Sequence, residues 1–390
     1  MLIRLAVERA YDIEPALYAP MIGAGPERIE SFSCLRTMAF PGGRLLADAV
    51  AWHPGGDGSA KREMRILVDL HGGELRFRDL TAHLANSPTS RFVQSWWNTC
   101  AFDDYILYLQ ETNRALLVPT SDQAPIELTI RHPIGDAVIN EKVTVPMAPN
   151  PYSRLVSNDG VVPVPLAEGG GDFARHLAFL TINVAEKEAR WSAWLPASVS
   201  SSRDSWLDKF FRKESNSETV AVAASELPRF SIKDFRIAAR EFQPLVNQAL
   251  CRNGQVFVYT KGQRDSPKYG HECSVVARVR PDGQAISTPF RQDYTDFRDS
   301  KSRGLEGRFT TSGRYCILYS IYGSTDPWGG QPRLFDMDNH ELVEVKLPRG
   351  FSRYRVVDHI GDFAWLELWP APNVTPRLVC CSMQTDRRHA

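Results

Sequence analysis

The stretch SGRYCILYSIYG, residues 312–323, decides the fold because it has almost no polar side. After a small polar start it runs through aromatic and branched residues of the kind that favour β-strands. A strand with one face in water alternates apolar and polar residues, whereas a strand covered on both faces is apolar throughout. The stretch therefore predicts an inner strand of a sheet that is packed on both sides.

Five other stretches repeat this pattern. Each has small or polar residues followed by a run rich in β-branched and aromatic residues, and they occupy 42–52, 103–111, 174–183, 253–262 and 361–369. A strand precedes several of the runs, and turn signals such as Pro281-Asp282-Gly283 and Asp336–His340 separate the strands that follow them. Each unit is therefore predicted to be a four-stranded antiparallel sheet.

Four-stranded units repeated every ~50 to 80 residues are typical of a β-propeller. We predict an all-β chain that forms a single propeller domain over residues 1–390, with six or seven blades and seven preferred. The candidate for a degenerate seventh blade lies near 218–239. The N-terminal run LIRLAVE, residues 2–8, is expected to pair with the last blade and close the ring. The alternative is two or more stacked β domains, for which 167–172 is the best linker.

Helical signal is confined to SWLDKFFRK, residues 205–213. Its apolar residues at 206, 207, 210 and 211 have the spacing of one helix face. We predict a short helix on the rim of the propeller at this point.

Composition and charge exclude several classes of protein. Hydrophobic residues make up 43% and charged residues 24%, which is a globular balance. Lys+Arg and Asp+Glu are 46 each, so no net charge attracts nucleic acid or an anionic membrane. No run reaches the ~18 apolar residues of a membrane span, and the N-terminus lacks the features of a signal peptide. We expect a cytoplasmic protein without nucleic-acid or membrane partners.

The seven cysteines lie mostly inside apolar runs, and none forms a CxxC pair. This pattern favours neither a zinc site nor a disulfide framework, and it indicates buried thiols in a reducing compartment. Cys380 and Cys381 are adjacent, so a strand would place one thiol on each of its faces.

No motif in the chain carries enzymatic chemistry. GxSxG, HxH and HExxH are absent from the sequence. Residues 336–339, DMDN, begin like a calcium loop but lack its glycine and distal glutamate, so a hairpin turn is predicted there. We predict no catalytic residue, no metal and no cofactor. The alternative is a hydrolase or lyase acting on sugars or small esters in the central channel.

The two faces of the predicted disc differ in their connections. The long connections 53–63, 262–271, 291–307, 323–331 and 370–376 all fall on one face, here called the loop face, and tight turns occupy the opposite turn face. Aromatic residues among charged ones are typical of protein-binding hot spots. We therefore predict a non-catalytic protein-binding module, acting as a scaffold or as an inhibitor or immunity-type partner of another protein. The predicted partner-binding residues are Tyr269, Tyr294, Phe297, Arg298, Asp326 and Trp328.

Overall fold

The computed structural model is built almost entirely of β-strands. It describes residues 2–12, 31–53, 62–84, 98–110, 112–135, 137–139, 143–145, 147–149, 155–157, 160–168, 174, 176–196, 221–227, 236–237, 240–241, 243–263, 273–280, 285–293, 305–320, 333–346, 353–369 and 377–385. Helical structure in these segments consists of α1 (Thr81–Leu84) and a 3-10 turn at Ala224–Glu226. Neither described helix is long and apolar enough to span a membrane.

The first half of the described chain contains three four-stranded antiparallel units, called blades I, II and III, and the outer strands of II and III also pair in parallel, from Glu188 opposite Thr129 to Arg190 opposite Arg131, so that these two blades form one eight-stranded sheet. The chain begins with β1 (Leu2–Tyr11), which belongs to the last blade. Blade I consists of β2 (Ser31–Phe40), β3 (Arg44–His53), β4 (Arg62–His71) and β5 (Glu74–Asp79). Blade II consists of β6 (Asn98–Phe102), β7 (Tyr105–Gln110), β8 (Arg114–Pro119) and β9 (Ile126–Arg131). After the hairpin of β10 (Ala137–Ile139) and β11 (Val143–Val145), blade III consists of β12 (Met147–Pro149), β13 (Val161–Glu168), β14 (His176–Asn183) and β15 (Glu188–Ser192).

Three further blades follow a short hairpin of β16 (Arg236–Ile237) and β17 (Arg240–Glu241). Blade IV consists of β18 (Gln243–Arg252), β19 (Gln255–Gln263), β20 (Cys273–Val279) and β21 (Ala285–Asp293). Blade V consists of β22 (Leu305–Phe309), β23 (Tyr315–Ser320), β24 (Arg333–Asp336) and β25 (Glu341–Lys346). Blade VI consists of β26 (Arg353–Ile360), β27 (Phe363–Trp369), β28 (Arg377–Thr385) and β1.

Six hydrophobic clusters join the blades into a ring. Each cluster contains buried residues of two neighbouring blades, so that I contacts II and the series continues until VI contacts I again. Representative pairs, in that order, are Leu46 with Tyr108, Leu117 with Val164, Phe179 with Val258, Tyr259 with Cys316, Ile317 with Leu366 and Trp365 with Leu45. A closed ring of four-stranded blades is a β-propeller.

The described residues form six blades, within the predicted range but without the preferred seventh. The preference rested on residues near 218–239, whose described parts form no four-stranded sheet, since Arg236–Ile237 pairs with β17 in a short hairpin. Val222 forms a parallel bridge with Ile134, and Leu227 is buried between blades II and III. Blade III packs directly on blade IV through Phe179 and Val258, which leaves no place for a further blade between them. The described residues 221–227 therefore supply a docked segment and not a sheet. The predicted rim helix at 205–213 lies outside the described residues.

The N-terminal strand closes the ring, as predicted. β1 pairs antiparallel with β28, from Ile3 opposite Thr385 to Tyr11 opposite Leu378, and its first residues run parallel to β25 of blade V. The Tyr11 ring lies 5.8 Å from the ring of Trp365, and its hydroxyl accepts a hydrogen bond from the Gly73 amide of blade I. One strand thus contacts blades V, VI and I.

The alternation of β23 accounts for its missing polar side. Tyr315 and Ile317 face the cluster between blades V and VI, and Cys316 and Leu318 face the cluster between IV and V. Cys380 and Cys381 divide in the same way between the two faces of blade VI. Both predictions of two-sided burial are therefore confirmed.

The turn at DMDN is a hairpin turn between β24 and β25, as predicted. The buried Asp336 carboxylate accepts hydrogen bonds from the amides of Asp338 (2.8 Å) and Asn339 (3.3 Å). His340 adopts a φ of 54°, the left-handed conformation that this turn requires.

Candidate functional site

The six predicted partner-binding residues lie outside the described residues. They fall in the connections 264–272, 294–304 and 321–332, whose flanking strands are described. Because successive strands run in opposite directions, β19, β21 and β23 all end on the loop face. These three strands belong to the adjacent blades IV and V, which also pack directly on each other. The predicted residues therefore belong to connections that begin in one sector of the disc.

A tryptophan that the sequence analysis did not select is exposed on the loop face. Trp194 follows the end of β15 and is 37% exposed, although it is a large apolar residue. Ser192 holds the backbone around it, since its Oγ donates to the Trp194 carbonyl at 2.8 Å and accepts from the Trp194 amide at 3.2 Å. Nearby in sequence, Trp191 is buried and donates its indole N–H to the carbonyl of Thr112 in blade II. WSAW thus contains one structural and one exposed tryptophan.

At the centre of the disc, side chains connect the first strands of neighbouring blades. Gln248 of blade IV accepts a hydrogen bond from the Phe309 amide of blade V at 2.9 Å. Arg308 of blade V donates to the carbonyls of Val356 and Val357 in blade VI. First strands have no further strand on their inner side, so these side chains satisfy backbone groups that would otherwise be unpaired.

Asp358 is the most heavily bonded residue of this centre. Its carboxylate is fully buried and accepts from the amide of Ala39 in blade I (2.8 Å) and from the amide (2.8 Å) and hydroxyl (2.6 Å) of Thr311 in blade V. It also accepts from the amide of His359 at 2.9 Å. A carboxylate held by this many donors joins blades V, VI and I, and its role is structural.

Ser312 and His359 form the one nucleophile–imidazole pair recorded in the described centre. Ser312 Oγ lies 2.8 Å from His359 Nδ1, and the imidazole packs edge-on against the Tyr315 ring at 4.8 Å. Burial lowers the pKa of His359 to about 4, so the imidazole is neutral at ordinary pH. Ser312 Oγ also accepts from the Arg314 amide and contacts the Thr310 hydroxyl at 3.0 Å. These bonds fix the turn between β22 and β23 against blade VI.

A cavity of about 360 Å³ opens on the turn face between blades I and II. Its walls combine charged, hydroxyl and apolar side chains, namely Arg44, Leu46, Leu67, Asp69, His71, Glu74, Arg76, Phe77, Arg78, Thr120, Ser121 and Asp122. This volume is within the ~300–1,000 Å³ of ordinary ligand pockets, which have apolar walls and a few convergent polar groups. It is a candidate small-molecule site in the described part of the chain.

Two arginines of blade I hold the β8–β9 turn of blade II along this cavity. Arg44 forms a two-pronged ion pair with Asp69, at 2.8 and 2.5 Å, and donates to the carbonyl of Thr120 at 2.6 Å. Arg78 donates to the carbonyls of Pro119 (2.7 Å) and Ser121. Burial lowers the pKa of Arg78, because its hydrogen bonds to neutral carbonyls do not replace the lost hydration of a full charge.

Metal ligation is not supported by the described segments, which contain no group of three or more His, Cys, Asp or Glu side chains able to hold an ion. On the loop face, His176 Nε2 lies 3.0 Å from Glu168 Oε1, an isolated pair at the ends of β13 and β14. The five cysteines whose side chains are described are buried and form no disulfide.

No family model matches the sequence, and no curated protein matches it either. Solved structures with a similar arrangement of strands include an α-L-arabinanase of Penicillium chrysogenum complexed with arabinobiose, at 11% identity and a TM-score of 0.43 over 91% of this chain and 94% of that one. The N-terminal domain of Nup159 aligns at 11% identity and a TM-score of 0.36, over 98% and 96% of the two chains. The Swd1 β-propeller domain of Myceliophteria thermophila aligns at 11% identity and a TM-score of 0.35, over 92% and 99%. Similarity at this level does not bear on function, and the fold stands on the strand topology itself.

The sequence patterns did not identify the polar residues at the disc centre or those lining the turn-face cavity. Asp358 directly follows the valine pair in the strand RYRVVDHI, and an acid beside buried valines is a signal of a buried, bonded carboxylate. Arg76 and Arg78 alternate along β5, which indicates a charged strand face. Neither signal identifies the contacts, since Asp358 bonds to Ala39 and Arg78 to Pro119, in other blades.

Proposed function

We propose that this propeller is a non-catalytic protein-binding module whose partner docks on the loop face. It acts as a scaffold or as an inhibitor or immunity-type partner of another protein, with no nucleic acid or membrane involved. The proposal rests on the contrast between the two faces. On the turn face, the turns form polar contacts with neighbouring blades. Arg44 donates a hydrogen bond to the Thr120 carbonyl, Arg252 forms an ion pair with Asp338 at 2.7 Å, and the Thr311 amide donates to Asp358. The loop face carries the long connections and the exposed Trp194.

Exposed aromatics explain why the loop face suits a protein partner. Tryptophan, tyrosine and arginine are the residues enriched at the hot spots of protein interfaces, and the two aromatic ones bury a large area with little loss of side-chain freedom. Trp194 is such a residue, and Trp328 and Tyr294 are the corresponding predictions in the connections of blades IV and V. A rigid disc that presents these residues needs no catalytic group to act as a scaffold or an inhibitor.

The test is affinity purification of the full chain from its native cell, with quantitative mass spectrometry of what co-elutes. We expect one protein in stoichiometric amount, and we expect Trp194→Ala, Trp328→Ala and Tyr294→Ala each to reduce its recovery by at least tenfold. Arg76→Gln is the matched control on the turn face, since Arg76 forms an exposed ion pair with Glu74 that contributes little to folding. Circular dichroism establishes that each variant is folded.

Repeated purification without a stoichiometric protein would overturn the proposal, as would equal recovery by the loop-face variants and the Arg76→Gln control.

A channel-centred hydrolase is the second candidate, and the pairing of Ser312 with His359 is the observation that favours it. That enzyme would hydrolyse a small ester or glycoside from a standard panel, and Ser312→Ala would abolish turnover while partner recovery stayed unchanged.

A further inference from the structure

We infer that the turn-face cavity between blades I and II binds a small molecule carrying a phosphate or carboxylate group. The inference is independent of the proposed function, since it concerns the opposite face of the disc. The cavity has an apolar wall of Leu46, Leu67 and Phe77, and guanidinium groups converge on the same space. This combination suits an organic ligand with one anionic group.

The arginines along the cavity are paired with carboxylates, with one exception. Arg44 is neutralised by Asp69, and Arg76 pairs with Glu74 at 2.8 Å. Arg78 forms no ion pair with any described residue, and its hydrogen bonds go to the carbonyls of Pro119 and Ser121. A half-buried cation without an anion is costly, so an anionic ligand at this position is favoured.

The Arg78 guanidinium is also oriented in advance. The two carbonyls of the β8–β9 turn fix its plane, and they use two of the five N–H groups that an arginine carries. Its Nε is buried without a partner, so the N–H groups on the two Nη atoms are those a ligand reaches. Asp122 also lines the cavity, but it is exposed, so solvent and salt screen its repulsion of an anion.

Holding a turn of the next blade does not require an unpaired charge, as a contact between blades IV and V shows. There Arg252 pairs with Asp338 at 2.7 Å, so a carboxylate of the neighbouring turn accepts the bond. At the contact between blades I and II the acceptors are backbone carbonyls, and the positive charge of Arg78 remains available to a ligand. This available charge is the feature of the contact between blades I and II that favours an anionic ligand.

The experiment measures thermal unfolding of the full chain in inorganic phosphate, in acetate and in chloride at equal ionic strength. We expect a saturable rise in Tm with phosphate or acetate above that in chloride. The stronger of the two responses identifies the anionic group. In Arg78→Gln the apparent Kd should increase by roughly tenfold or more, the usual consequence of losing a charge-assisted hydrogen bond. Arg252→Gln is the matched control and should keep the wild-type response.

Ser121→Glu tests the inference without removing Arg78. Ser121 is exposed at the cavity wall, so the substitution places a carboxylate beside Arg78 without disturbing a core position. We expect this variant to be at least as stable as the wild type and to lose the anion response. Equal behaviour of all three anions, or an unchanged response in Ser121→Glu or in folded Arg78→Gln, would overturn the inference.

Discussion

The ring of Tyr259 in blade IV covers Gly307 in blade V so closely that a Cβ atom at residue 307 would lie 2.2 Å from its Cε2 atom. Tyr259 is fully buried, and its hydroxyl donates to Ser274 Oγ at 3.2 Å. The ring is therefore held in place, and β22 can approach blade IV at this point because residue 307 has no side chain.

We expect Gly307→Ala to destabilise the protein by about 1–3 kcal/mol, the usual cost of forcing extra volume into a packed core. Chemical denaturation measures the change in the free energy of unfolding. In a Tyr259→Leu background the ring is gone, so the same substitution should cost less than half as much. An equal cost in both backgrounds would show that the ring is not the cause.

The sequence predicts the parts of this fold that depend on local pattern. The two-sided burial of Tyr315 to Leu318, the division of Cys380 and Cys381, and the closing strand at 2–8 all follow from the alternation of side chains along a strand. The blade count does not follow, because the segment around Val222 has strand-like composition and yet docks on residue 134. The contacts of Asp358 and Arg78 depend on which blades are neighbours, and no local pattern encodes that.

Removing the Asp358 carboxylate should destabilise the centre of the disc strongly. Asp358→Ala leaves the buried amides of Ala39 and His359 and the part-buried amide of Thr311 without this acceptor, and each buried unsatisfied group costs about 1–3 kcal/mol. We expect a loss of at least about 3 kcal/mol in the free energy of unfolding. Asp362→Asn, in the exposed turn after β26, is the control and should change stability by less than about 0.5 kcal/mol. If Asp358→Ala and Asp362→Asn both changed the free energy of unfolding only slightly, the role assigned to Asp358 would be contradicted.

The buried thiols should be inert in the native protein. Burial raises the pKa of Cys380 to about 11 and that of Cys381 to about 12, and it raises the pKa of Cys316 further. The thiolate is the reactive form, so alkylation at pH 8 should be slow at these positions and fast after unfolding. Mass spectrometry of iodoacetamide-treated peptides measures each site separately. Rapid labelling of Cys316 in the folded protein would show that blades IV and V separate readily.

Tyr11 should contribute to ring closure through blade I as well as through its own blade. It is buried against Trp365, and its hydroxyl accepts the Gly73 amide. Tyr11→Ala should cost about 3–5 kcal/mol, as for other large aromatic truncations in a core. Arg9→Ala removes an exposed side chain of the same strand and should have little effect. Thermal unfolding of the two variants measures both effects. If backbone pairing alone closed the ring, the two substitutions would each lower Tm only slightly.

Stability should fall in mild acid because of His359. Burial is the main cause of its lowered pKa, the Asp358 carboxylate opposes the shift, and Arg314 adds to it. The imidazole contacts Ser312 and Tyr315 in its neutral form. An unfolded chain takes up a proton at this residue near pH 6.5, whereas the folded protein does so near pH 4. Protonation therefore favours the unfolded state increasingly as the pH falls between these two values.

The expected loss is about 1.4 kcal/mol per pH unit and about 3 kcal/mol in total over this range. His359→Asn removes the titrating group but keeps an amide able to bond Ser312, so its stability should change much less between pH 6.5 and pH 5. Urea denaturation at half-unit intervals gives the two profiles. The difference between them belongs to His359, because the other titrating groups are common to both proteins. Parallel profiles would mean that the imidazole accepts a proton in the folded ring without cost.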